Sequence, residues 1–137
     1  MDMFVNALMQ VFSLSSLPLL IGGVGLGIIF GAIPGLTATM AVALLVPFTY
    51  VMQPAQGIVA LVGVYVGGVY GGSISACLVN IPGTPASMLT TIDGYPMGQR
   101  GEAGKAIGYA TVSSFVGGIM SGVILIIFAG QVAKVAY

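Results

Sequence analysis

A polar, proline-rich segment after a long apolar run constrains this chain more than any other feature. Residues 80–87 read Asn-Ile-Pro-Gly-Thr-Pro-Ala-Ser and follow an apolar stretch long enough to cross a bilayer. Proline lacks an N–H group and clashes with the preceding helical turn, so a helix entering this segment is predicted to stop near Asn80. Thr84 is a favourable N-cap and Pro85 suits the first helical position, so we expect a second helix to begin there. The sequence Asp-Gly-Tyr-Pro at 93–96 predicts that this second helix is short.

The composition indicates a membrane protein. Of the 137 residues, 58% are hydrophobic and only 4% are charged, whereas about a quarter of the residues in a soluble domain are charged. The chain has no histidine and a single cysteine, Cys77, which excludes a disulfide or a His/Cys metal site built from this chain alone. A net charge of zero without a basic patch argues against nucleic-acid binding. The predicted fold class is therefore an all-α integral membrane protein.

The apolar runs and the turn signals between them indicate one membrane domain over residues 1–137. A stripe of four polar residues predicts a helix over 1–13 that lies in the membrane interface, and a lead-in to the first span fits the stripe equally well. These residues are Asp2, Asn6, Gln10 and Ser13. Spans are predicted over residues 17–33, 37–52, 57–79 and 106–129, and a re-entrant segment is an equally open interpretation of 37–52. A charged loop over 93–105 follows the break at 80–87, and its basic residues favour the cytoplasmic side.

Glycine accounts for 22 of the 137 residues and lies mostly in the predicted spans, where small residues let helices approach closely. Small residues spaced by four form stripes in three of the spans, and we interpret these stripes as helix-packing surfaces. They are Gly23, Gly27, Gly31 and Gly35 in the first span; Gly63, Gly67, Gly71 and Ser75, with Gly68, Gly72 and Ala76 beside them, in the third; and Ser113, Gly117 and Ser121 in the last.

A weaker copy of the Pro-Gly segment follows the first predicted span. Residues 33–39 read Ile-Pro-Gly-Leu-Thr-Ala-Thr and share Ile-Pro-Gly and a later alanine with residues 81–86. Thr37 is suited to cap the helix that follows, which Pro47 is expected to kink. Paired interruptions in hydrophobic segments indicate a transport site, although so short a match also arises by chance.

The two breaks supply the predicted binding residues. Backbone N–H groups at helix N-termini carry roughly half a positive charge and bind anions together with nearby hydroxyls, and the predicted spans contain no ionised side chain. The predicted substrate-binding residues are Gly35, Thr37, Thr39, Asn80, Gly83, Thr84 and Ser87. Oxygen atoms of Ser73, Ser75 and Asn80 are predicted to hold a cation. For either serine alone, a bond to a carbonyl one turn earlier is the more usual role.

These segments resemble the large membrane subunit of the tripartite tricarboxylate transporters, the TctA family. The resemblance rests on residues 34–37, 71–87 and 93–105, and extends over most of residues 22–128. It implies a multi-pass secondary transporter of the bacterial inner membrane that takes up carboxylates such as citrate on an ion gradient. It also implies two partners, a small membrane subunit and a periplasmic substrate-binding protein. Family members are several times longer and have inverted halves, so the resemblance makes this chain the N-terminal portion of such a subunit.

Other functions fit parts of the same sequence. A channel could use a Thr/Gly/Pro loop as a filter, but neither a repeated filter nor a charged ring is present. A structural membrane subunit explains the glycine stripes but not two prolines around Gly-Thr at membrane depth. An enzyme is not expected, because the chain offers no nucleophile–base pair or metal cluster, and no cofactor is predicted. Coupling to Na⁺ is favoured because a proton relay needs an intramembrane carboxylate or histidine.

Overall fold

The computed structural model describes the backbone of residues 2–136 and the side chains of residues 5–6 and 8–128. Regular secondary structure over residues 2–136 is entirely helical, which confirms the all-α prediction. The α-helices are α1 (Asp2–Val11), α2 (Leu17–Ala32), α3 (Ala38–Thr49), α4 (Pro54–Val79), α5 (Thr90–Gln99) and α6 (Ala103–Ala136). A 3₁₀ turn at Pro85–Ser87 precedes α5.

Helix α4 is the centre of the fold and contacts each of the other helices and the 3₁₀ turn. One stripe of small residues on α4 lies against α2: a β-carbon at Gly71 would be 2.5 Å from the Ile28 carbonyl oxygen. A second stripe lies against α3 and the 3₁₀ turn, where a β-carbon at Gly68 would be 2.7 Å from the Ala38 β-carbon. The interpretation of these α4 stripes as packing surfaces is confirmed.

Three glycines of the first stripe, Gly23, Gly27 and Gly31, pack onto α4 in the same order along both helices. The fourth, Gly35, lies beyond the end of α2, and a β-carbon there would meet nothing within 4 Å. A β-carbon at Gly23 would lie 2.7 Å from the Ala60 carbonyl oxygen, and one at Gly31 would overlap the Gly68 carbonyl group. Helices α2 and α4 therefore run parallel, at a backbone separation that requires glycine at the contact points.

Helices α2 and α3 form a hairpin whose tip is the segment 33–37. Helix α3 runs back along α4, because Ala38 at its start contacts Gly68 and Thr49 at its end contacts Gly57. With 16 and 12 residues, α2 and α3 are about 24 and about 18 Å long, shorter than the hydrocarbon core of a bilayer. The hairpin tip therefore meets α4 near the middle of its 26 residues.

Two of the described helices are long and apolar enough to cross a membrane, namely Pro54–Val79 and residues 103–128 of α6. They differ in packing, since 44% of the most apolar window of α4 is buried and none of that of α6. A hydrogen bond of 2.8 Å between the Tyr70 and Thr111 hydroxyls joins the two helices. Helix α3 ends three residues before the predicted end, and α4 and α6 each begin three residues before the predicted start.

The predicted charged loop over 93–105 is wrong in its first half, which belongs to α5. Helix α5 contains Pro96 and packs on the end of α4 through glycine: a β-carbon at Gly94 would lie 2.6 Å from the Cys77 sulfur. Asp93 in the first turn complements the positive end of the helix dipole. This packing outweighs the helix-stop signal of the Asp-Gly-Tyr-Pro sequence. The non-helical connection between α5 and α6 is therefore only residues 100–102.

Candidate binding cleft between the two Pro-Gly segments

The second Pro-Gly segment, residues 80–87, leaves the end of α4 and turns back along it. Asn80 caps α4 in the left-handed conformation, with φ 58°, which asparagine adopts more readily than most residues. The Gly83 N–H then donates to the Gly72 carbonyl oxygen at 3.4 Å. Because Gly72 lies about two helical turns before the end of α4, the segment has returned to the level of the hairpin tip.

Gly83 lies where three parts of the backbone meet. A β-carbon there would be 2.5 Å from the Gly31 carbonyl oxygen and 2.7 Å from the Gly72 α-carbon. Positive φ is found at Gly35 (94°) but not at Gly83. Gly83 is therefore required by close packing, whereas the exposed Gly35 is required by its backbone conformation.

The hydroxyls of the second segment stabilise its own turn. The Thr84 N–H donates to Ser87 Oγ at 3.2 Å, and the Ser87 hydroxyl donates to the Thr84 carbonyl oxygen at 2.9 Å. Both residues are buried, and Thr84 Oγ1 lies 3.4 Å from Ser87 Oγ. Thr84 is the N-cap of the 3₁₀ turn, as predicted, and its N–H bond to Ser87 Oγ is one half of a capping box. The helix expected after Thr84 is only this three-residue turn.

The first Pro-Gly segment, residues 33–37, ends in the N-cap of α3. Thr37 Oγ1 accepts a hydrogen bond of 3.2 Å from the Met40 N–H, which confirms Thr37 as the predicted N-cap. It also lies 2.8 Å from Thr39 Oγ1. The N–H groups of Ala38 and Thr39, in the first turn, have no acceptor within the helix. The positive end of α3 thus has free donors beside a pair of hydroxyls.

An open cleft of about 480 Å³ lies between the two segments, a size common for small-ligand sites. Its walls are mostly apolar and carry no charged side chain. They are formed by Thr37, Ala38, Thr39, Tyr65, Val69, Thr84, Pro85 and Ala86. Three predicted substrate-binding residues, from sequence positions far apart, are therefore brought to one cleft: Thr37, Thr39 and Thr84.

The other predicted substrate-binding residues lie around this cleft and do not line it. Gly83 and Ser87 are buried in the turn behind Thr84. Gly35 and Asn80 are both exposed, at the hairpin tip and at the end of α4.

The two serines predicted to bind a cation differ in burial and in hydrogen bonding. The Ser75 hydroxyl is buried and donates to the Gly72 carbonyl oxygen at 3.0 Å, which is the common back-bond of a helical serine. Ser73 is half-buried on α4. Within the described residues, no group of His, Cys, Asp or Glu side chains could hold a metal ion.

Tyr65 and Val69 are lining residues that the sequence patterns did not indicate as part of a site. They lie four residues apart on one face of α4. The sequence does contain a signal that places them near the site. Each lies three residues before a glycine of the Gly68–Gly72 stripe, and that stripe packs against the helix start after the first Pro-Gly segment and against the second segment. Residues three apart on a helix are neighbours on its surface.

A cleft between paired interruptions of apolar helices is typical of secondary transporters. The model of the tripartite tricarboxylate transporter TctA family matches residues 17–137, and the chain belongs to this family, which confirms the resemblance seen in the sequence. A relative from Agrobacterium vitis, described as an uncharacterized 52.8 kDa protein in the TAR-I ttuC' 3' region, is 41% identical over 114 residues. That alignment covers 83% of this chain but only 23% of the relative's length. No solved structure matches the chain.

Proposed function

We propose that this chain forms part of the substrate site of a carboxylate transporter, as a portion of the large membrane subunit of a tripartite system. The observation that carries the proposal is the cleft at which the two Pro-Gly segments meet. Family membership supports the transporter class, and it agrees with the expectation that the chain is not an enzyme. The carboxylate would be of the tricarboxylate or dicarboxylate type, such as citrate.

The N-terminus of α3 is the proposed carboxylate-binding element. Its free N–H groups carry partial positive charge and would donate to the carboxylate together with the hydroxyls of Thr37 and Thr39. Thr84 would form the opposite wall. Because the hairpin tip meets α4 near its middle, the site would lie away from bulk water, where such electrostatic interactions are stronger.

Helix lengths support a particular membrane arrangement. Helices α2 and α3 are apolar but short, so we infer that they form a hairpin that enters the membrane without crossing it. The second segment would be a further discontinuity beside it, and non-helical backbone is tolerated at this depth where it is buried or lines a cavity. We infer that an inverted second half in a longer chain would complete the site.

We further propose a membrane location, two partner proteins and a coupling ion for the transporter. The protein would be multi-pass in the bacterial inner membrane, with α1 in the interface. It would act with a small membrane subunit and a periplasmic substrate-binding protein. Sodium is the proposed coupling ion, because the lining of the cleft has no carboxylate or histidine, the usual proton-relay groups. Oxygen atoms of Ser73, Ser75 and Asn80, with nearby carbonyls, are the proposed ligands. The Ser75 oxygen keeps its lone pairs while its hydrogen is donated to the Gly72 carbonyl oxygen.

Uptake of radiolabelled citrate by proteoliposomes tests this function, with the full-length protein and its partners at several sodium concentrations. Thr39→Val removes a hydroxyl from the cleft and keeps the shape of the side chain. Losing a hydrogen bond to a charged group costs about 1.5–3 kcal/mol, so we expect the affinity for citrate to fall about tenfold or more.

The matched control is Thr91→Val, the same chemical change on α5, where the hydroxyl donates to the Met88 carbonyl oxygen at 2.6 Å. It should leave affinity unchanged. Equal effects of the two substitutions in proteins that insert normally would place the site elsewhere. Uptake that does not saturate with citrate concentration would favour a channel.

A further inference from the structure

Tyr65 has the most open polar side chain on the wall that α4 contributes to the cleft. It lies near the middle of α4, and 52% of its surface is exposed although it belongs to the central helix. Val69, one turn further on, lines the same wall. The ring of Tyr65 therefore borders the cleft instead of filling the contact between α4 and α2 or α3.

The hydroxyl of Tyr65 has no hydrogen-bond partner among the described residues, whereas the hydroxyl groups of Ser87 and Thr37 already take part in hydrogen bonds within the protein. The Ser87 hydroxyl donates within its own turn, and Thr37 Oγ1 accepts from the N-terminus of α3. The Tyr65 hydroxyl is therefore the polar group on this wall that remains available to a ligand in the cleft.

Tyr70 provides the contrast within the same helix. Its hydroxyl lies 2.8 Å from Thr111 Oγ1, and the Thr111 hydroxyl donates to the Ile107 carbonyl oxygen at 2.8 Å. The Tyr70 hydroxyl must therefore be the donor to Thr111, and its role is to join α4 to α6. The Tyr70 hydroxyl therefore has a defined partner on α6. The Tyr65 side chain instead borders the open cleft.

We propose that Tyr65 is a substrate-contacting residue that donates its hydroxyl hydrogen to the carboxylate held at the N-terminus of α3. This inference rests on the function proposed above and adds a third element to the site. With it, the anion is contacted from the hairpin tip and from α4, and the aromatic ring bounds the space left for the rest of the substrate. A tyrosine hydroxyl is a hydrogen-bond donor, and a site built to hydrogen-bond its substrate discriminates against analogues that lack the bonded group.

The first test compares Tyr65→Phe with Tyr70→Phe in the full-length transporter, by uptake of radiolabelled citrate. Each substitution removes one hydroxyl from α4 and keeps the ring. We expect Tyr65→Phe to raise KM about tenfold with little change in maximal rate, the loss typical of one hydrogen bond to a charged group. Tyr70→Phe should lower thermal stability and leave KM unchanged.

A labelling experiment supplies a readout that a structural role would not change. In a Cys77→Ala background, Tyr65→Cys should react with a hydrophilic methanethiosulfonate reagent, and citrate should slow that reaction about tenfold at saturation. Ile58→Cys, on an exposed part of α4 outside the cleft, should show no protection.

The outcomes separate the two proposals. Saturable uptake with an unchanged KM in Tyr65→Phe, or labelling that citrate does not slow, would overturn the role of Tyr65 and leave the proposed function standing. If the unsubstituted protein takes up none of citrate, malate and succinate, the proposed function fails and the role of Tyr65 fails with it.

Discussion

The two Pro-Gly segments share the tripeptide Ile-Pro-Gly, yet its glycine has a different structural role in each segment. In the segment 33–37 the glycine is exposed and has φ 94°, and the chain continues into a 12-residue helix. In the segment 80–87 the glycine is buried between two other backbones, without positive φ, and the chain continues into a three-residue turn. One segment supplies the free N-terminus of a helix, and the other supplies the packed wall opposite it.

The difference shows that a short sequence repeat does not fix a structural repeat. The threonines are not at equivalent positions, because one residue, Leu36, separates Gly35 from Thr37, whereas Thr84 directly follows Gly83. The two threonines begin elements of different length. The Met40 N–H donates to Thr37 Oγ1 at the start of the 12-residue α3, whereas the Ser87 hydroxyl donates to the Thr84 carbonyl oxygen within the three-residue turn.

The largest expected effect is that of Gly83→Ala. The added methyl group would meet the Gly31 carbonyl oxygen and the Gly72 α-carbon at 2.5 and 2.7 Å, and backbone cannot move aside as a flexible side chain can. We expect a loss of about 3 kcal/mol in stability, at the upper end for overpacking, seen as a lower melting temperature in detergent. Gly22→Ala, which meets nothing within 4 Å, is the control, and an equally stable Gly83→Ala would contradict the packing role.

An intermediate effect is expected for Ser87→Ala. Ser87 is 1% exposed and accepts the Thr84 N–H, so the substitution leaves a buried donor without its partner. The expected loss is about 2 kcal/mol, measured by the same melting experiment. Ser113→Ala, on the exposed surface of α6, should change the melting temperature little. A stable Ser87→Ala protein would mean that the second segment does not depend on its own hydrogen bonds.

The smallest effect is expected for Gly35→Ala, where there is space for a methyl group but the backbone is unfavourable. Nothing lies within 4 Å of the added β-carbon, so the cost is the left-handed conformation alone, about 1–2 kcal/mol. Gly35→Asn should recover part of this loss, because asparagine tolerates that conformation. If alanine and asparagine behave alike, φ at this position is not what requires glycine.

Much of the fold could be predicted because helix ends and close helix contacts depend on local residue types. The cap at Thr37 and the glycine stripes of α2 and α4 follow from the sequence, since hydroxyls at N-caps and glycines at four-residue spacing have few other roles in apolar helices. Helix α5 could not be predicted in this way. Its glycines signal a stop when read locally, and only the Cys77 side of α4 makes them packing residues.

The candidate site was predicted in part for the same reason. Thr37, Thr39 and Thr84 stand out because they are polar residues beside prolines in an apolar chain. Tyr65 does not stand out, because tyrosine in a span is common and its position on the cleft depends on where the 80–87 segment turns back. That turn is set by Gly83 fitting between Gly31 and Gly72, a tertiary contact with no local signature.

The parallel contact between α2 and α4 limits how this protein can move. Where two helices meet backbone to backbone there are few side-chain rotamers to rearrange, so gradual sliding is blocked. The next register that again brings glycine opposite carbonyl lies four residues away, a step of about 6 Å. During any change in access to the cleft, α2 and α4 should therefore travel as a single rigid body. Other helices would then move relative to this pair at less closely packed contacts. One such contact is that between α4 and α6, which the Tyr70–Thr111 hydrogen bond joins.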